Sequence, residues 1–267
     1  MKAAPFAYVR PAALDDVLAE LAGGDAKVLA GGQSLVPVLA MRLGRPATLV
    51  DINAVAELHG FETVDGGALR IGAAVRQRTV ERAPETRAVP LIGMAMPFVG
   101  HRELRSRGTV VGSLAHADPA AELPAVAACL DATIEVTGPA GRRRMPAGEF
   151  FAGAMTTGAG PQDVVVAVEF PAARPGEGYG FAEIARRHGD FALAGVAAVV
   201  RVGGDGAVAR ARLTGFGISD RPVTRDVTEL LREPDLRAAT TALAAEVVDT
   251  AGDAHGSTGY RLPLIHI

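Results

Sequence analysis

The chain has 267 residues, of which 49% are hydrophobic and 21% are charged, a balance typical of globular proteins and not of disordered ones. Its formal net charge is −3 and it has no long basic run, which argues against a nucleic-acid-binding surface. The single cysteine, Cys129, excludes an intrachain disulfide and a cysteine-ligated iron–sulfur cluster within this chain, and its apolar neighbours predict a buried position.

The first part of the chain predicts a parallel β-α-β unit. No stretch at the N-terminus is apolar enough for a signal peptide and no transmembrane run follows, so a cytoplasmic location is expected. Apolar spacing predicts a helix over Pro11 to Leu21. Apolar runs predict buried strands over Lys27 to Ala30 and Thr48 to Ile52, with a helix over Val36 to Leu43 between them. This order is the one that a parallel unit requires.

The remainder predicts mixed elements followed by a meander. Strands are expected over Ala68–Ala74, Ala132–Val136, Val164–Phe170, Tyr179–Arg187, Leu193–Val202 and Ala207–Phe216. Helices are expected over Thr79–Arg82, Pro90–Val99, Glu122–Leu130, Val223–Leu231 and Leu236–Val248. Gly203 to Gly206 indicates a hairpin turn, and Arg142 to Arg144 are expected to flank another hairpin on a solvated face. Pro171 to Gly178, with two prolines and two glycines, is the best domain boundary.

The most informative stretch is Lys27 to Leu35, KVLAGGQSL. A short apolar run that breaks at the pair Gly31-Gly32 is typical of a buried strand ending in a tight turn. Glycines allow positive φ and let exposed N–H groups converge on an oxyanion, and the pair Gln33-Ser34 adds an amide and a hydroxyl. The alternative is a turn selected only for its geometry, because short glycine motifs have many false positives.

A second stretch, Thr109 to Pro124, TVVGSLAHADPAAELP, has the same character. It contains Gly112 and Ser113 among small residues. The Asp118-Pro119 step is expected to start a helix that carries Glu122 in its first turns. Together the two stretches predict a cradle for a phosphorylated cofactor.

The segments AGGQSLVPVLAMRLGRPATLVDIN and RGTVVGSLAHADPAAELPAV resemble the two flavin-binding signatures of the FAD-carrying medium subunit of molybdenum hydroxylases, the family of xanthine dehydrogenase and aerobic carbon monoxide dehydrogenase. Further matches are Ile71–Ala73, His101–Arg105 and Ala185–Val199, so the resemblance covers nearly the whole chain. It implies an α+β, two-lobed FAD-binding fold of the vanillyl-alcohol-oxidase type. A small parallel β-α-β lobe is joined to a larger antiparallel α+β lobe, and a three-stranded antiparallel sheet with helices follows.

The resemblance also implies three domains, 1–57, 58–173 and 174–267. Relatives continue past the Tyr260-Arg261 step into one more basic amphipathic helix. Because this sequence ends at Ile267, that helix is expected to be cut short or missing.

The site that the resemblance implies has three groups of residues. The first wraps the pyrophosphate and ribityl parts of FAD and consists of Ala30, Gly31, Gly32, Gln33 and Ser34, with Lys27 and Leu35 beside them. The second is an opposing loop of Thr109, Gly112, Ser113, Ala117 and Asp118, with Glu122 able to accept hydrogen bonds from cofactor hydroxyls. The third lies near the flavin ring and consists of Asp190 and Phe191, where Phe191 is expected to pack in the core first and to contact the flavin second.

The sequence departs from the family pattern at Val111. The family has two glycines after the threonine and an aliphatic residue, whereas here Val111 precedes the single Gly112. A β-branched residue would be strained at positive φ. The favoured interpretation is therefore a β-like loop at this point, and the alternative is weakened FAD binding.

The function implied by the resemblance is electron transfer through FAD. A large partner subunit would carry the molybdenum cofactor and a small partner two 2Fe–2S clusters, and FAD would pass electrons to NAD, oxygen or a quinone. No catalytic acid or base is required in this chain, and no residue grouping has metal-ligand spacing. Two alternatives remain open: a stand-alone flavin-dependent oxidoreductase, and a scaffold subunit that has lost FAD.

Overall fold

A three-stranded parallel sheet opens the computed structural model, which describes residues 2–250, 252 and 256–266. Its elements are β1 (Ala7–Val9), α1 (Leu14–Ala22), β2 (Ala26–Leu29), α2 (Leu35–Ala40) and β3 (Thr48–Asp51). The strand order is β1-β3-β2, and both pairs are parallel. The predicted β-α-β unit is therefore confirmed, and β1 is an additional strand. Apolar side chains of α1 are buried with Val50 in the main core.

The middle of the chain builds a five-stranded antiparallel sheet around a buried helix. Its elements are β4 (Phe61–Thr63), β5 (Leu69–Gly72), α3 (Gln77–Arg82), α4 (Pro90–Ala95), α5 (Arg102–Arg107), α6 (Val110–His116), α7 (Glu122–Leu130), β6 (Thr133–Gly138), β7 (Gly141–Pro146), α8 (Ala147–Phe150), β8 (Phe151–Gly153), β9 (Thr156–Thr157) and β10 (Val164–Phe170). Short 3-10 helices lie at Ile52–Ala54, Ala56–His59, Asp65–Gly67, Pro84–Ala88 and Met96–Phe98. The sheet order is β4-β5-β10-β6-β7, and β8 and β9 form a separate hairpin.

Helix α7 is the centre of this part, because every residue from Glu122 to Cys129 is buried. A helix that is apolar on all sides belongs in a core, and the predicted burial of Cys129 is confirmed. The arginines of β7 lie on the edge strand of the sheet, with Arg142 and Arg144 exposed, as the hairpin prediction requires.

The last part is a four-stranded antiparallel meander with two helices. Its elements are β11 (Glu177–Ala185), β12 (Ala192–Val202), β13 (Val208–Phe216), β14 (Val223–Asp226), α9 (Leu236–Val247) and α10 (Thr258–Arg261), with 3-10 helices at Leu230–Arg232 and Leu262–His266. The hairpin turn is confirmed by the bond from Gly203 N to Ala207 O.

Two predictions about this part are wrong. The sheet has four strands and not three, and Val223 to Leu231 is not a helix. The residues at its start are β-branched, which favours an extended backbone, and β13 offers them an edge to pair with. The hydroxyls of Thr214 and Thr224 complete this pairing with a 2.8 Å hydrogen bond across the two strands.

Residues 171–176, between β10 and β11, have no regular secondary structure. The division into 1–57, 58–173 and 174–267 stays a prediction. The expectation about the chain end at Ile267 lies outside the described residues. Among the helices that the structure describes, none has the length and apolar character needed to cross a bilayer.

Three aromatic rings join the meander to the rest of the core. Phe181 on β11 lies between Phe98 and Phe216, with ring centroids 5.3 Å and 5.6 Å apart. Gly195 on β12 leaves the room that the Phe216 ring fills, because a β-carbon built at Gly195 would lie 2.7 Å from Phe216 Cε2 and closer still to Cζ.

We expect Gly195→Ala to lower the free energy of unfolding by about 1–3 kcal/mol, because the new methyl group overpacks this aromatic contact. Urea unfolding followed by circular dichroism measures the change. Gly180→Ala is the matched control, since Gly180 also lies in a strand of the meander but has nothing within 4 Å of a built β-carbon. Equal stability of the two variants would contradict the expected overpacking.

Candidate functional site

The first glycine stretch is a tight turn between β2 and α2. Gly31 is buried, and Gly32 has a φ of +74°, in the left-handed region that favours glycine. The Gln33 side-chain amide donates to Gly31 O at 3.1 Å, so part of its hydrogen-bonding capacity stabilises the turn itself. The predicted strand and glycine turn are confirmed.

Four successive backbone N–H groups of this turn, those of residues 32–35, have no hydrogen-bond partner among the described residues. No aspartate or glutamate occurs between residues 26 and 42. Lys27, exposed on β2, has no ion-pair partner in the part of the chain that the structure describes. Unpaired backbone N–H groups in a turn whose own segment carries no carboxylate form a suitable environment for an oxyanion.

The second stretch is a helix where a loop was expected. The Thr109 hydroxyl caps α6 by accepting from Gly112 N at 3.0 Å. Val111 is buried in this helix, so the prediction of a β-like loop at this point is wrong. Its φ is not positive, so its β-branched side chain causes no backbone strain. Gly112 is needed for the cap, because a β-carbon there would lie 2.5 Å from Thr109 Oγ1.

The two stretches touch each other at Gly31. A β-carbon built there would lie 2.7 Å from Gly108 Cα and closer still to the carbonyl oxygen of Arg107. Two side chains strengthen the junction: Asn53 Nδ2 donates to Ala30 O at 2.9 Å, and Arg76 donates to Asn53 Oδ1 and to Arg107 O, both at 2.6 Å. These two supporting residues were not predicted. Asn53 is the last residue of the first signature segment, so its role could have been predicted from the sequence. Arg76 lies outside both signature segments, and no sequence pattern indicated its role.

A cleft of about 630 Å³ lies beside this junction. The predicted site residues that line it are Lys27, Ala30, Gly31, Gly32, Gln33, Ser34, Leu35, Thr109, Gly112, Ser113, Asp118, Glu122 and Asp190. Ala117 does not line it: this buried residue ends α6 in the left-handed conformation, with a φ of +52°. Its carbonyl oxygen accepts from Met155 N at 3.0 Å, so it positions the β8–β9 hairpin instead.

The Asp118-Pro119 step also differs from the prediction. The Asp118 carboxylate accepts from Ala120 N at 2.9 Å, which forms a local turn, and helix α7 starts only at Glu122. Asp118 and Glu122 both line the cleft.

The mouth of the cleft is formed by the turn between β11 and β12. Phe191 is 71% exposed there, so the expected core packing is wrong. It lines the cleft, and the expected contact with the flavin stays a prediction. Asp190 is held at 3.3 Å from Arg187 Nε. Gly189 has a φ of +82° and packs against the turn before α5, since a built β-carbon would lie 2.7 Å from His101 Cε1.

Several other residues of the wall carried no sequence signal. Most are apolar or small and come from distant parts of the chain, including Val99, Gly100, Met155 and residues 159–161, whereas Leu104 lies in the matching segment His101–Arg105. They become neighbours only through tertiary packing.

Glu122 is the buried acid of the cleft, with 7% of its surface exposed. Burial raises the pKa of its carboxyl to about 7. The charge of Asp118 adds to this rise, while its own backbone N–H and Arg105 oppose it. An acid of this kind changes its charge near neutral pH.

Two family models cover the chain. Residues 4–173 match the FAD binding domain in molybdopterin dehydrogenase, and residues 179–266 match the CO dehydrogenase flavoprotein C-terminal domain.

Curated proteins and solved structures agree with these matches. The chain is 36% identical to the 6-hydroxypseudooxynicotine dehydrogenase complex subunit alpha of Paenarthrobacter nicotinovorans, over 99% of this chain and 92% of that protein. It is also 36% identical to the carbon monoxide dehydrogenase medium chain of Hydrogenophaga pseudoflava, over 75% of this chain and 70% of that one. A solved structure of the carbon monoxide dehydrogenase of H. pseudoflava matches with a TM-score of 0.92 and 31% identity, over 99% of this chain and 94% of the other.

Fold, cleft and matches together define an FAD-binding component of an oxidoreductase. The chain belongs to the family of FAD-binding medium subunits of molybdenum hydroxylases, to which carbon monoxide dehydrogenase medium chains also belong.

The residues of the cleft fit this cofactor. Its volume lies within the range of about 300–1,000 Å³ found for small-molecule and cofactor sites. The unpaired N–H groups of residues 32–35 are suited to the pyrophosphate, and carboxyl groups such as Glu122 are suited to hydroxyl donors.

Proposed function

We propose that this chain is the electron-transfer subunit of a molybdenum hydroxylase complex. FAD in the cleft would supply the redox chemistry, with a large partner subunit carrying the molybdenum cofactor and a small partner carrying two 2Fe–2S clusters. Electrons would pass from the clusters through FAD to NAD, oxygen or a quinone. The chain's own residues bind the cofactor and orient it.

The observation that carries this proposal is the junction between the two signature segments. The turn of residues 32–35 presents unpaired N–H groups to the same cleft that α6 and Glu122 line. The relatives named as a medium chain and as a complex subunit support a role within an assembly. The exposed Phe191 at the cleft mouth and the exposed Met155 give this side an apolar surface suited to a partner or an acceptor.

Cofactor binding is tested by titrating the apoprotein with FAD and recording the flavin absorption and fluorescence. We expect one FAD per chain, and much weaker binding of riboflavin, which lacks the pyrophosphate that the glycine turn would hold. Equal affinity for FAD and riboflavin would contradict the assignment of residues 32–35 to the phosphates. A chain that binds neither would favour the scaffold alternative.

The assembly is tested by purifying the tagged chain from its native cells and measuring molybdenum and iron in the preparation. We expect both metals to co-purify in two further subunits, and we expect the isolated chain to hold FAD without turning over a substrate. Turnover by the isolated FAD-loaded chain would favour the stand-alone oxidoreductase.

A further inference from the structure

The carboxylate of Asp51, at the end of β3, holds a residue that supports the junction of the two glycine segments. Asp51 is buried and is not among the residues that line the cleft. Its Oδ1 atom accepts from the backbone N–H of Asn53 at 2.8 Å and from the Asn53 side-chain amide at 2.5 Å. Its Oδ2 atom accepts from the Tyr8 hydroxyl at 2.5 Å. Both oxygen atoms are therefore occupied by donors that do not line the cleft.

The parallel sheet brings Asp51 beside the glycine turn. Leu29, the last residue of β2, pairs in register with Asp51, and the turn starts directly after Leu29. On the other side of β3, Tyr8 of β1 pairs in register with Leu49, and its hydroxyl reaches the carboxylate two residues further along. Asp51 therefore lies between the strand that carries the turn and the strand that carries Tyr8.

The orientation of the Asn53 amide depends on its three partners. Its Nδ2 atom donates both to Asp51 Oδ1 and to Ala30 O, the latter at 2.9 Å. Its Oδ1 atom accepts from Arg76 at 2.6 Å. A rotated amide would present N–H groups to the Arg76 guanidinium, which has only donors, and its oxygen to two acceptors. The Asp51 carboxylate therefore selects the orientation in which Asn53 holds both Ala30 and Arg76.

These contacts hold both sides of the junction between the glycine segments. The Ala30 carbonyl directly precedes the glycine turn, and Arg76 donates to Arg107 O on the other side of the junction at 2.6 Å. Loss of the Asp51 carboxylate would therefore act on the turn through Asn53, without removing a group that lines the cleft.

Asp51 is an ionised carboxylate whose neighbours are donors. Burial opposes its ionisation, but hydrogen bonds from Tyr8 and Asn53 outweigh this effect, so the pKa of Asp51 lies below its ordinary value. Arg10, whose side chain is exposed, adds a positive charge with its Nε atom 3.8 Å from Asp51 Oδ2. An ionised carboxylate has only acceptor atoms, so Asp51 keeps both of its hydrogen-bond donors in place.

We propose that Asp51 is a positioning residue for the pyrophosphate of FAD: by fixing the Asn53 amide, it keeps the backbone N–H groups of residues 32–35 in place at the cleft beside α6. This inference rests on the proposed placement of the FAD phosphates at residues 32–35. Asp51 does not contact the cofactor, and no proton or electron passes through it. Its removal should therefore weaken the binding of FAD more than the binding of riboflavin, which has no phosphate.

The alternative is that Asp51 only caps the short 3-10 helix Ile52–Ala54, since its side chain accepts from Asn53 N. Serine caps helices about as well as aspartate and asparagine do, but its single oxygen on a shorter side chain does not reach both Tyr8 and the Asn53 amide. Asparagine also caps, and it offers an oxygen to Asn53 and an N–H group to the Tyr8 oxygen. Serine and asparagine at position 51 therefore separate capping from positioning.

The test is titration of each apoprotein with FAD and, separately, with riboflavin, followed by flavin fluorescence. We expect Asp51→Ala and Asp51→Ser to weaken FAD binding roughly 10-fold, as lost hydrogen bonds to a charged group imply, and to change riboflavin binding less than about threefold. Asp51→Asn should stay within about threefold of the wild type for both ligands. Asp15→Ala is the matched control, an exposed carboxylate on α1 whose removal should leave both affinities unchanged.

A double-mutant cycle tests whether Asp51 acts through Asn53. We expect Asn53→Ala to weaken FAD binding about as much as Asp51→Ala does, and the double variant to lose little more, because both substitutions break the same link. Additive losses would overturn the proposal, as would equal losses for FAD and riboflavin. Full recovery of FAD affinity in Asp51→Ser would leave only the helix cap and would overturn it as well. Circular dichroism establishes that each variant is folded, and if Asp51→Ala is not, Asp51→Ser and Asn53→Ala decide the question.

Failure of the FAD placement is distinguishable from failure of this inference. If the wild type binds FAD no more tightly than riboflavin, the phosphates do not lie at residues 32–35. The position of the turn is then measured in the apoprotein from the amide NMR signals of residues 31–35. Asp51→Ser should shift these signals, whereas Asp51→Asn and Asp15→Ala should leave them near their wild-type positions. Unchanged signals in a folded Asp51→Ser protein would overturn the positioning of the turn by Asp51.

Discussion

Gly31→Ala is expected to weaken FAD binding on the order of 100-fold, equivalent to about 2.7 kcal/mol. The added methyl group would overlap the backbone at Arg107 and Gly108, neither of which can rotate away as a flexible side chain could. The two signature segments must then separate, and the N–H groups of residues 32–35 lose their position relative to α6. Titration of the apoprotein with FAD, followed by flavin fluorescence, measures the effect.

The control for this substitution is Gly93→Ala in α4, where nothing lies within 4 Å of the new β-carbon. It should bind FAD like the wild type, and alanine should favour the helix slightly. Circular dichroism establishes that both variants are folded before their affinities are compared. A folded Gly31→Ala protein with wild-type affinity would show that contact between the segments is not needed for the site.

Arg105→Ala is expected to lower the free energy of unfolding by about 1.5–3 kcal/mol, because it removes a largely buried guanidinium that donates hydrogen bonds to a charged carboxylate and to two carbonyl oxygens. The Arg105 side chain is only 9% exposed and contacts Glu81 through two nitrogen atoms, at 2.9 Å and 3.1 Å. It also donates to the carbonyl oxygens of Val99 and Gly100, which border the cleft. Chemical denaturation measures the loss.

Arg78→Ala tests whether burial accounts for this effect. Arg78 pairs with the same carboxylate at 2.7 Å, but its side chain is 24% exposed and makes no further bond among the described residues. More exposed pairs contribute roughly 0–1 kcal/mol, so its removal should have a small effect. If both variants lost a similar amount of unfolding free energy, pairing with Glu81 would account for the loss, and the buried position of Arg105 would not.

Features with a local cause were predictable from the sequence. The turn at Gly31-Gly32 follows from glycine chemistry, and the burial of Cys129 follows from its neighbours. The helix at Val110–His116 has a local cause as well, because the Thr109 side chain caps it. It was not predicted, because Gly112 was interpreted as part of a loop. The strand at Val223–Asp226 was misjudged because apolar spacing over a short window also fits a helix.

Features that arise from tertiary packing were not predictable from one sequence. Arg76 reaches Asn53 and Arg107 from a helix start that resembles any other polar segment. Ala117 belongs to a signature segment yet does not line the cleft, since adjacent residues of one motif need not share a face.

The contact of Gly189 with His101 has a consequence for how this chain can evolve. It joins the turn at the cleft mouth, which belongs to the C-terminal family segment, to the turn before α5 in the FAD-binding segment. A larger residue at position 189 would have to be matched by a smaller one at position 101. Substitutions in the two segments are therefore expected to depend on each other at this seam.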